Sequence, residues 1–176
     1  MKYLLSGQET KRLRFRPLRQ EDRVSMLPLF QKDVGRFIAV DITKSPEDQC
    51  KQWFDRQLKR YEEDRGGLNI LESKETGEVI GTCGLLVQEV NDRTELEVGY
   101  SILPAFWNRG FASEAALKCR DYAFENNLAE SLISIIHVEN IQSMKVAQHN
   151  GMSVESKADF MGMPVNIYRI YKKGES

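Results

Sequence analysis

The sequence predicts a mixed α/β (α+β) fold with a mostly antiparallel central sheet flanked by helices, and three observations carry that prediction. The stretch from Glu95 to Ser113 reads as strand, proline turn, glycine-containing loop and helix. A second strand-like run, Leu132 to Val138, leads into another helical pattern that stops at Asn150-Gly151. Two further pairs of strand-like runs, Leu68 to Glu72 with Val79 to Val90 and Val154 to Phe160 with Val165 to Tyr171, are each joined by a short turn, which favours antiparallel pairing.

Taken in order, residues 1–10 read as a flexible leader and 11–173 as a single domain. From Arg12 to Pro17, Arg12, Arg14 and Arg16 alternate with Leu13 and Phe15, the pattern of a strand with one buried and one wet face; the arginine row reads as a solvated edge. Glu21 to Gln31 has helical spacing at Val24, Leu27 and Phe30, kinked or shortened by Pro28. Ser45-Pro46-Glu47-Asp48 opens a helix with a capping serine, proline at the first helical position and acids in the first turn. Cys50, Trp53, Phe54, Leu58 and Tyr61 give that helix one apolar stripe.

Turns at Lys74-Glu75-Thr76-Gly77 and Asn91-Asp92-Arg93 lead into the central strand. There Leu96, Val98, Tyr100 and Ile102 alternate with Glu95, Glu97, Gly99 and Ser101 until Leu103-Pro104. Gly99 inside the strand predicts a bulge or a close approach, which would splay the strand and turn unpaired backbone groups around Tyr100 to Ile102 toward a ligand. The helix after the loop extends to Asn126 or Asn127, and its small residues Ala112, Ala115, Ala116, Cys119 and Ala123 let it lie close on a sheet. Met161-Gly162-Met163-Pro164 turns the chain between its last two strands.

The loop Trp107-Asn108-Arg109-Gly110-Phe111-Ala112 aims the amides of Arg109, Gly110, Phe111, Ala112 and Ser113 at one spot, where the helix dipole also favours an anion. Gly110 and Ala112 carry no bulk beyond a methyl, so a phosphate oxygen can reach those amides, and the strand's last residues Ile102 and Leu103 border the same spot. The expected occupant is a pyrophosphate. The loop lacks a Gly-Lys-Ser/Thr ending and has no G-x-G-x-x-G.

Composition narrows the class. A chain of 176 residues, 41% hydrophobic and 29% charged, is long enough for one core and reads as globular rather than disordered. No apolar run approaches a membrane span or a signal peptide, so the default compartment is the cytoplasm. Cys50, Cys83 and Cys119 are far apart with no C-x-x-C, which speaks against a disulfide framework or structural zinc. A net charge of −1 speaks against bulk nucleic-acid binding.

Four pieces occur in a telling order: Arg12-Leu13-Arg14-Phe15-Arg16-Pro17-Leu18, Glu97-Val98-Gly99-Tyr100, Trp107-x-x-Gly110-x-Ala112 and Asn140-x-x-Ser143. Together they resemble the GNAT superfamily of acyl-CoA-dependent N-acyltransferases over nearly the whole chain. Trp107 in place of the usual Gln or Arg is similar to the branch of ribosomal-protein alanine N-acetyltransferases. The resemblance implies a GNAT fold, acetyl-CoA as cosubstrate without a metal, and acetyl transfer to a primary amine, first of all a protein N-terminus. A small-molecule amine (amino acid, polyamine or aminoglycoside) and a non-catalytic acyl-CoA sensor are the alternatives, followed by a ribosome-associated protein working through the arginine row. Exposed sheet edges also admit a homodimer.

Acyl transfer to an amine needs a polarised carbonyl, a neutral amine and a proton for the departing thiolate. Glu97, on the strand face of Gly99, is the expected base, with Glu95 two residues away in reserve; either also fits an ordinary solvent-facing position. Many family members carry a tyrosine seven residues after the helix-opening asparagine, and here that position is Ala147. In the ribosomal-protein branch the serine of Asn-x-x-Ser is a proposed substitute, which maps to Ser143. Asn140 is expected both to cap its helix and to meet the pantetheine arm. Arg109 and Lys145 are candidates for coenzyme phosphates. The family's acceptor cleft borders the first helices, which makes Gly35, Arg36, Phe37 and Asp41 candidates for substrate selection. His137 and His149 read as structural, and Cys83 lacks a sequence-evident activating partner, so direct transfer is expected.

Overall fold

Seven strands form one sheet in the computed structural model, which describes residues 1–31 and 33–174. They are β1 (Leu13–Pro17), β2 (Gly66–Ser73), β3 (Val79–Val90), β4 (Arg93–Ile102), β5 (Ser131–His137), β6 (Ser153–Phe160) and β7 (Met163–Tyr171). Their order is β1-β2-β3-β4-β5-β7-β6, and among the described residues every neighbouring pair is antiparallel except β4 and β5. The helices are α1 (Arg23–Met26), α2 (Pro46–Glu62), α3 (Phe111–Glu125) and α4 (Ile141–His149).

Each face of the sheet has its own core. On one face, Ala115, Ala116, Cys119 and Ala123 of α3 are wholly buried with Leu85, Leu96, Val98 and Leu132. The small side chains let α3 lie so close that the Cys119 sulfur sits 3.5 Å from that of Cys83 on β3. On the other face, Cys50, Trp53 and Phe54 of α2 pack with Met26, Leu29 and Phe30 over Leu68, Ile70 and Leu86. Helix α2 begins as its sequence dictates, with Pro46 in the first turn and the Ser45 hydroxyl accepting from the Asp48 amide at 3.1 Å.

Several sequence expectations give way to the fold. Residues 1–10 are no loose leader: Leu4 and Leu5 are buried, Gly7 N–H donates to Phe15 C=O at 3.0 Å, and Phe15 N–H donates to Gln8 C=O at 2.9 Å. The Glu21–Gln31 helix is broken into a 3-10 turn (Gln20–Asp22), one α turn and a second 3-10 turn (Leu27–Phe30) at Pro28. Val24 is 82% exposed, and Met26 and Leu29 take the buried positions instead. The β3–β4 ladder runs from Gly81↔Ile102 to Val90↔Arg93 without a shift, so Gly99 makes no bulge there. The glycine answers to a close approach: a Cβ at Gly99 would lie 2.9 Å from Leu86 Cδ1.

The row Arg12, Arg14 and Arg16, at and just before β1, is consumed by ion pairs. Arg12 pairs with Glu114, Arg14 with Glu9, and Arg16 with both Asp22 and Glu72. Asp22 is buried and receives both Arg16 terminal nitrogens, at 2.7 and 2.8 Å, and the Arg19 amide at 2.7 Å. Burial opposes its ionisation, but the Arg16 guanidinium and the Arg19 amide outweigh burial and hold the carboxyl below its usual range. Its stabilising contribution is therefore present above the unfolded-state pKa and is lost as the pH falls through the folded-state pKa. Asp22→Ala is expected to cost about 2–3 kcal/mol in urea unfolding at pH 7, with the gap to wild type closing below about pH 4.

Candidate active site

The cleft is opened by the sheet itself. Strands β4 and β5 run parallel and pair at one position, Glu97↔Ile133, then diverge toward their C-terminal ends. Leu103 N–H donates to Ile80 C=O at 3.0 Å, which sets the phase of the ladder: Glu97, Gly99 and Ser101 bond toward β3, while the amides of Tyr100 and Ile102 turn toward the opening. Two of the carbonyls on that side are taken by side chains. The buried Ser134 hydroxyl donates to Val98 C=O at 2.8 Å, and the Trp107 indole N–H donates to Ile102 C=O at 2.7 Å. The amides of Tyr100 and Ile102 face the gap together with the Tyr100 carbonyl.

The opening widens into a cavity of about 1080 Å³ between the two halves of the molecule. Gly110, Phe111, Ala112 and Ser113 line one end, where α3 begins. Gly110 caps α3 with φ +78°, and a Cβ there would lie 3.4 Å from the Arg12 guanidinium, an ordinary contact. The left-handed backbone, rather than lack of room, is thus what selects glycine. Arg12 braces the loop from behind, donating to Arg109 C=O at 2.9 Å and pairing with Glu114 in the first turn of α3.

Not every expected contact residue faces the cleft. Ile102, Asn140, Ser143 and Lys145 line it. Leu103 is buried in the α2-side core, and the Arg109 guanidinium lies over the rings of Phe106 and Phe111 at 5.6 and 5.4 Å. Asn140 caps α4, its Oδ1 accepting from the Ser143 amide at 3.2 Å. Ala147 is buried beneath α4, away from the cleft lining.

Glu97 and Glu95 part company. Glu95 is held by both terminal nitrogens of Arg169, at 2.7 and 2.9 Å, outside the cleft. Glu97 lines the cleft beside the point of divergence, where Gln88 Nε2 donates to it at 2.7 Å. Burial pushes the Glu97 carboxyl up; the Gln88 hydrogen bond, the Arg60 charge and the Ile135 amide oppose that without cancelling it. A carboxyl raised in this way is a better proton acceptor near neutrality than an exposed one.

The cleft also contains residues that strand and helix patterns alone hid. Tyr100 lines it, and its hydroxyl donates to Ser143 C=O at 2.9 Å, tying β4 to the first turn of α4. Burial drives this phenol's pKa well up, so it stays neutral. Arg56 and Arg60 of α2 line the opposite wall; their i,i+4 spacing was the available signal. Phe37 and Arg36 reach the cleft from the segment between α1 and α2, and Phe37 packs on His137 with ring centroids 4.9 Å apart. Gly35 and Asp41 are not part of the lining. His137 accepts from the Glu139 amide, and His149 sits at the end of α4 on the cleft's edge. Cys83 is wholly buried under α3, and among the described residues no cysteine lines the cleft.

Residues 12–153 match the family model described as an acetyltransferase (GNAT) domain. An uncharacterized N-acetyltransferase, YoaA of Bacillus subtilis, is 29% identical over 174 residues, covering 95% of this chain and 97% of its own. An acetyltransferase structure from Agrobacterium tumefaciens superposes with a TM-score of 0.79 at 23% identity, covering 96% of both chains. More distant in sequence are a ribosomal-protein-S5-alanine acetyltransferase from Vibrio fischeri (TM-score 0.68, 16% identity, 94% and 96% covered) and a spermidine N-acetyltransferase from Vibrio cholerae in complex with CoA and spermine (0.71, 17%, 93% and 97%).

Two outcomes test the site's construction. Gly110→Ala forces a side chain into left-handed backbone and is expected to lower stability by about 1 kcal/mol, with weaker acetyl-CoA binding by calorimetry. Because the Glu97 pKa is raised in the folded state, its contribution is full below the unfolded-state pKa and declines as the pH rises through the folded value. The Glu97→Gln protein should therefore gain stability relative to wild type between pH 4 and pH 8; parallel melting curves across that range would contradict the raised pKa.

Proposed function

The chain belongs to the GNAT acetyltransferase family, as an acetyl-CoA-dependent N-acetyltransferase, and we propose that it transfers acetyl directly to a primary amine with Glu97 as the base. The observation that carries this reading is the placement of Glu97, a cleft-lining carboxylate with a raised pKa, at the point where β4 leaves β5. Acetyl-CoA supplies an acetyl group already activated as a thioester. Its pyrophosphate fits the amides of Gly110, Phe111, Ala112 and Ser113, and Asn140 and Lys145 line the path toward α4.

The proposed roles follow from that placement. The amides of Tyr100 and Ile102 offer donors for the thioester oxygen. Glu97 accepts the proton from an incoming ammonium, directly or through water, since an amine is mostly protonated at neutral pH. The Ser143 hydroxyl hydrogen-bonds the departing sulfur, in a helix turn that Tyr100 holds. A thiolate with solution pKa near ~8.5 needs little further help. The absence of a cleft cysteine among the described residues supports direct transfer over a covalent enzyme intermediate.

For the acceptor, a protein N-terminus is the first reading, supported by the loop Trp107-x-x-Gly110-x-Ala112 and by the fold shared with a ribosomal-protein acetyltransferase. A small-molecule amine is the second, favoured by the packing of Phe37 on His137 in the cleft wall.

Calorimetric titration with acetyl-CoA, followed by an amine panel read by thiol release, tests the reading. Binding with release is the expected result; binding without release from any peptide or small amine would leave a sensor, not a transferase. Glu97→Gln should lower kcat/KM by about 10²-fold near neutrality. That deficit should shrink as the pH approaches the amine's own pKa, where the acceptor arrives already neutral.

A further inference from the structure

We propose that Arg56 is a specificity-determining anchor for a carboxylate on the acceptor, so that the preferred substrate is a primary amine with a carboxylate close by. The inference rests on the transfer reading above and names the acceptor's chemistry. It begins from an arginine with no counter-ion. Arg56 is half-buried in the cleft wall formed by Trp53, Gln57 and Arg60. Among the described residues no carboxylate pairs with it, whereas Arg12, Arg14, Arg16, Arg120 and Arg169 each hold an acid. Burial alone acts on the Arg56 guanidinium, pushing its pKa down. A partly desolvated charge without a partner is a standing cost that an arriving anion would remove.

The neighbourhood strengthens that cost. Arg60, one helical turn on, is also half-buried and spends its donors on neutral acceptors: Val87 C=O at 3.0 Å, Arg65 C=O at 3.2 Å and Gln88 Oε1 at 2.6 Å. Gln88 in turn donates to Glu97, so the base and the arginine pair share one wall of the cleft. At the rim, Arg36 and Asp33 are exposed, and the Arg36 guanidinium lies over the Phe37 ring at 4.5 Å. A zwitterion matches this wall, its ammonium at Glu97 and its carboxylate at Arg56. A polyamine, with cations at every reach, does not.

The arginines are not placed for the coenzyme's pyrophosphate. Glu97 and Ile102 are five residues apart on β4, about 16 Å of strand, and the phosphate loop lies beyond Ile102. Helix α2 also packs on the face of the sheet opposite α3, whose first turn forms the cradle.

Two sources present the same chemistry: a free α-amino acid, or a peptide whose residues just after its N-terminus are acidic. Matched pairs separate them. Wild type and Arg56→Gln would be assayed with amino acids against their decarboxylated amines, and with Ala-Asp-Asp peptides against Ala-Lys-Lys peptides, using thiol release. The carboxylate-bearing member of at least one pair is expected to win by about 10- to 100-fold in kcat/KM. Arg56→Gln should erase that preference through KM, leaving the decarboxylated partner and acetyl-CoA affinity unchanged, and Arg56→Lys should restore part of it. Titration of the preferred acceptor into the CoA-bound protein gives the same ranking without turnover. Turnover without a carboxylate preference, or an equal loss for both members in Arg56→Gln, overturns the anchor and leaves the transferase reading intact. No thiol release with any acceptor overturns both. A melting temperature for Arg56→Gln at or above wild type confirms that the variant is folded and that the charge carries a cost.

Discussion

Two parallel strands that touch at a single residue pair are the constraint on which the site depends. A sheet that splits must account for the backbone groups that lose their partners. Here Ser134 serves Val98 C=O and the Trp107 indole serves Ile102 C=O, while Tyr100 and Ile102 turn their N–H groups into the gap. The slot therefore presents two backbone N–H donors. The first turn of α3 lines the same cleft. The parallel register needs a long crossover, and α3 supplies it, which puts the helix N-terminus at the mouth of the split.

The period of two along β4 then separates the duties. Tyr100 and Ile102 belong with Leu96 and Val98 on the α3 side. Glu97 and Gly99 face α2, where Leu86 fills the space that a Gly99 side chain would need. A one-residue slip of this strand would exchange Glu97 for a hydrophobe in the cleft.

Much of this was legible in the sequence. The alternation of β4, the cap of α2, the small face of α3 and the glycine loop each follow from local rules, and local rules are what a linear pattern records. What escaped reading was set by partners distant in the chain. Glu95 and Glu97 have the same local pattern, yet Arg169, 74 residues on from Glu95, takes one and leaves the other in the cleft. Gly99 was legible as a constrained position, but its cause is a leucine side chain on the neighbouring strand rather than a bulge. Val24 fitted a helical stripe that Pro28 prevents from forming. Arg56 lay in the sequence as one more surface charge, and only its half-burial in the cleft wall, without an acid or a hydrogen-bond partner among the described residues, sets it apart.

The first dozen residues hold a different lesson. Leu5 is anchored in the core, Thr10 donates to Glu114 at 2.6 Å, and Arg12 holds both Glu114 and the loop carbonyl of Arg109. The scaffold behind the phosphate loop is therefore written about a hundred positions away from the loop itself. A loop transplanted into another member of this family would arrive without its buttress, and its fidelity as an anion cradle would depend on a segment that no motif search around Gly110 would think to carry along.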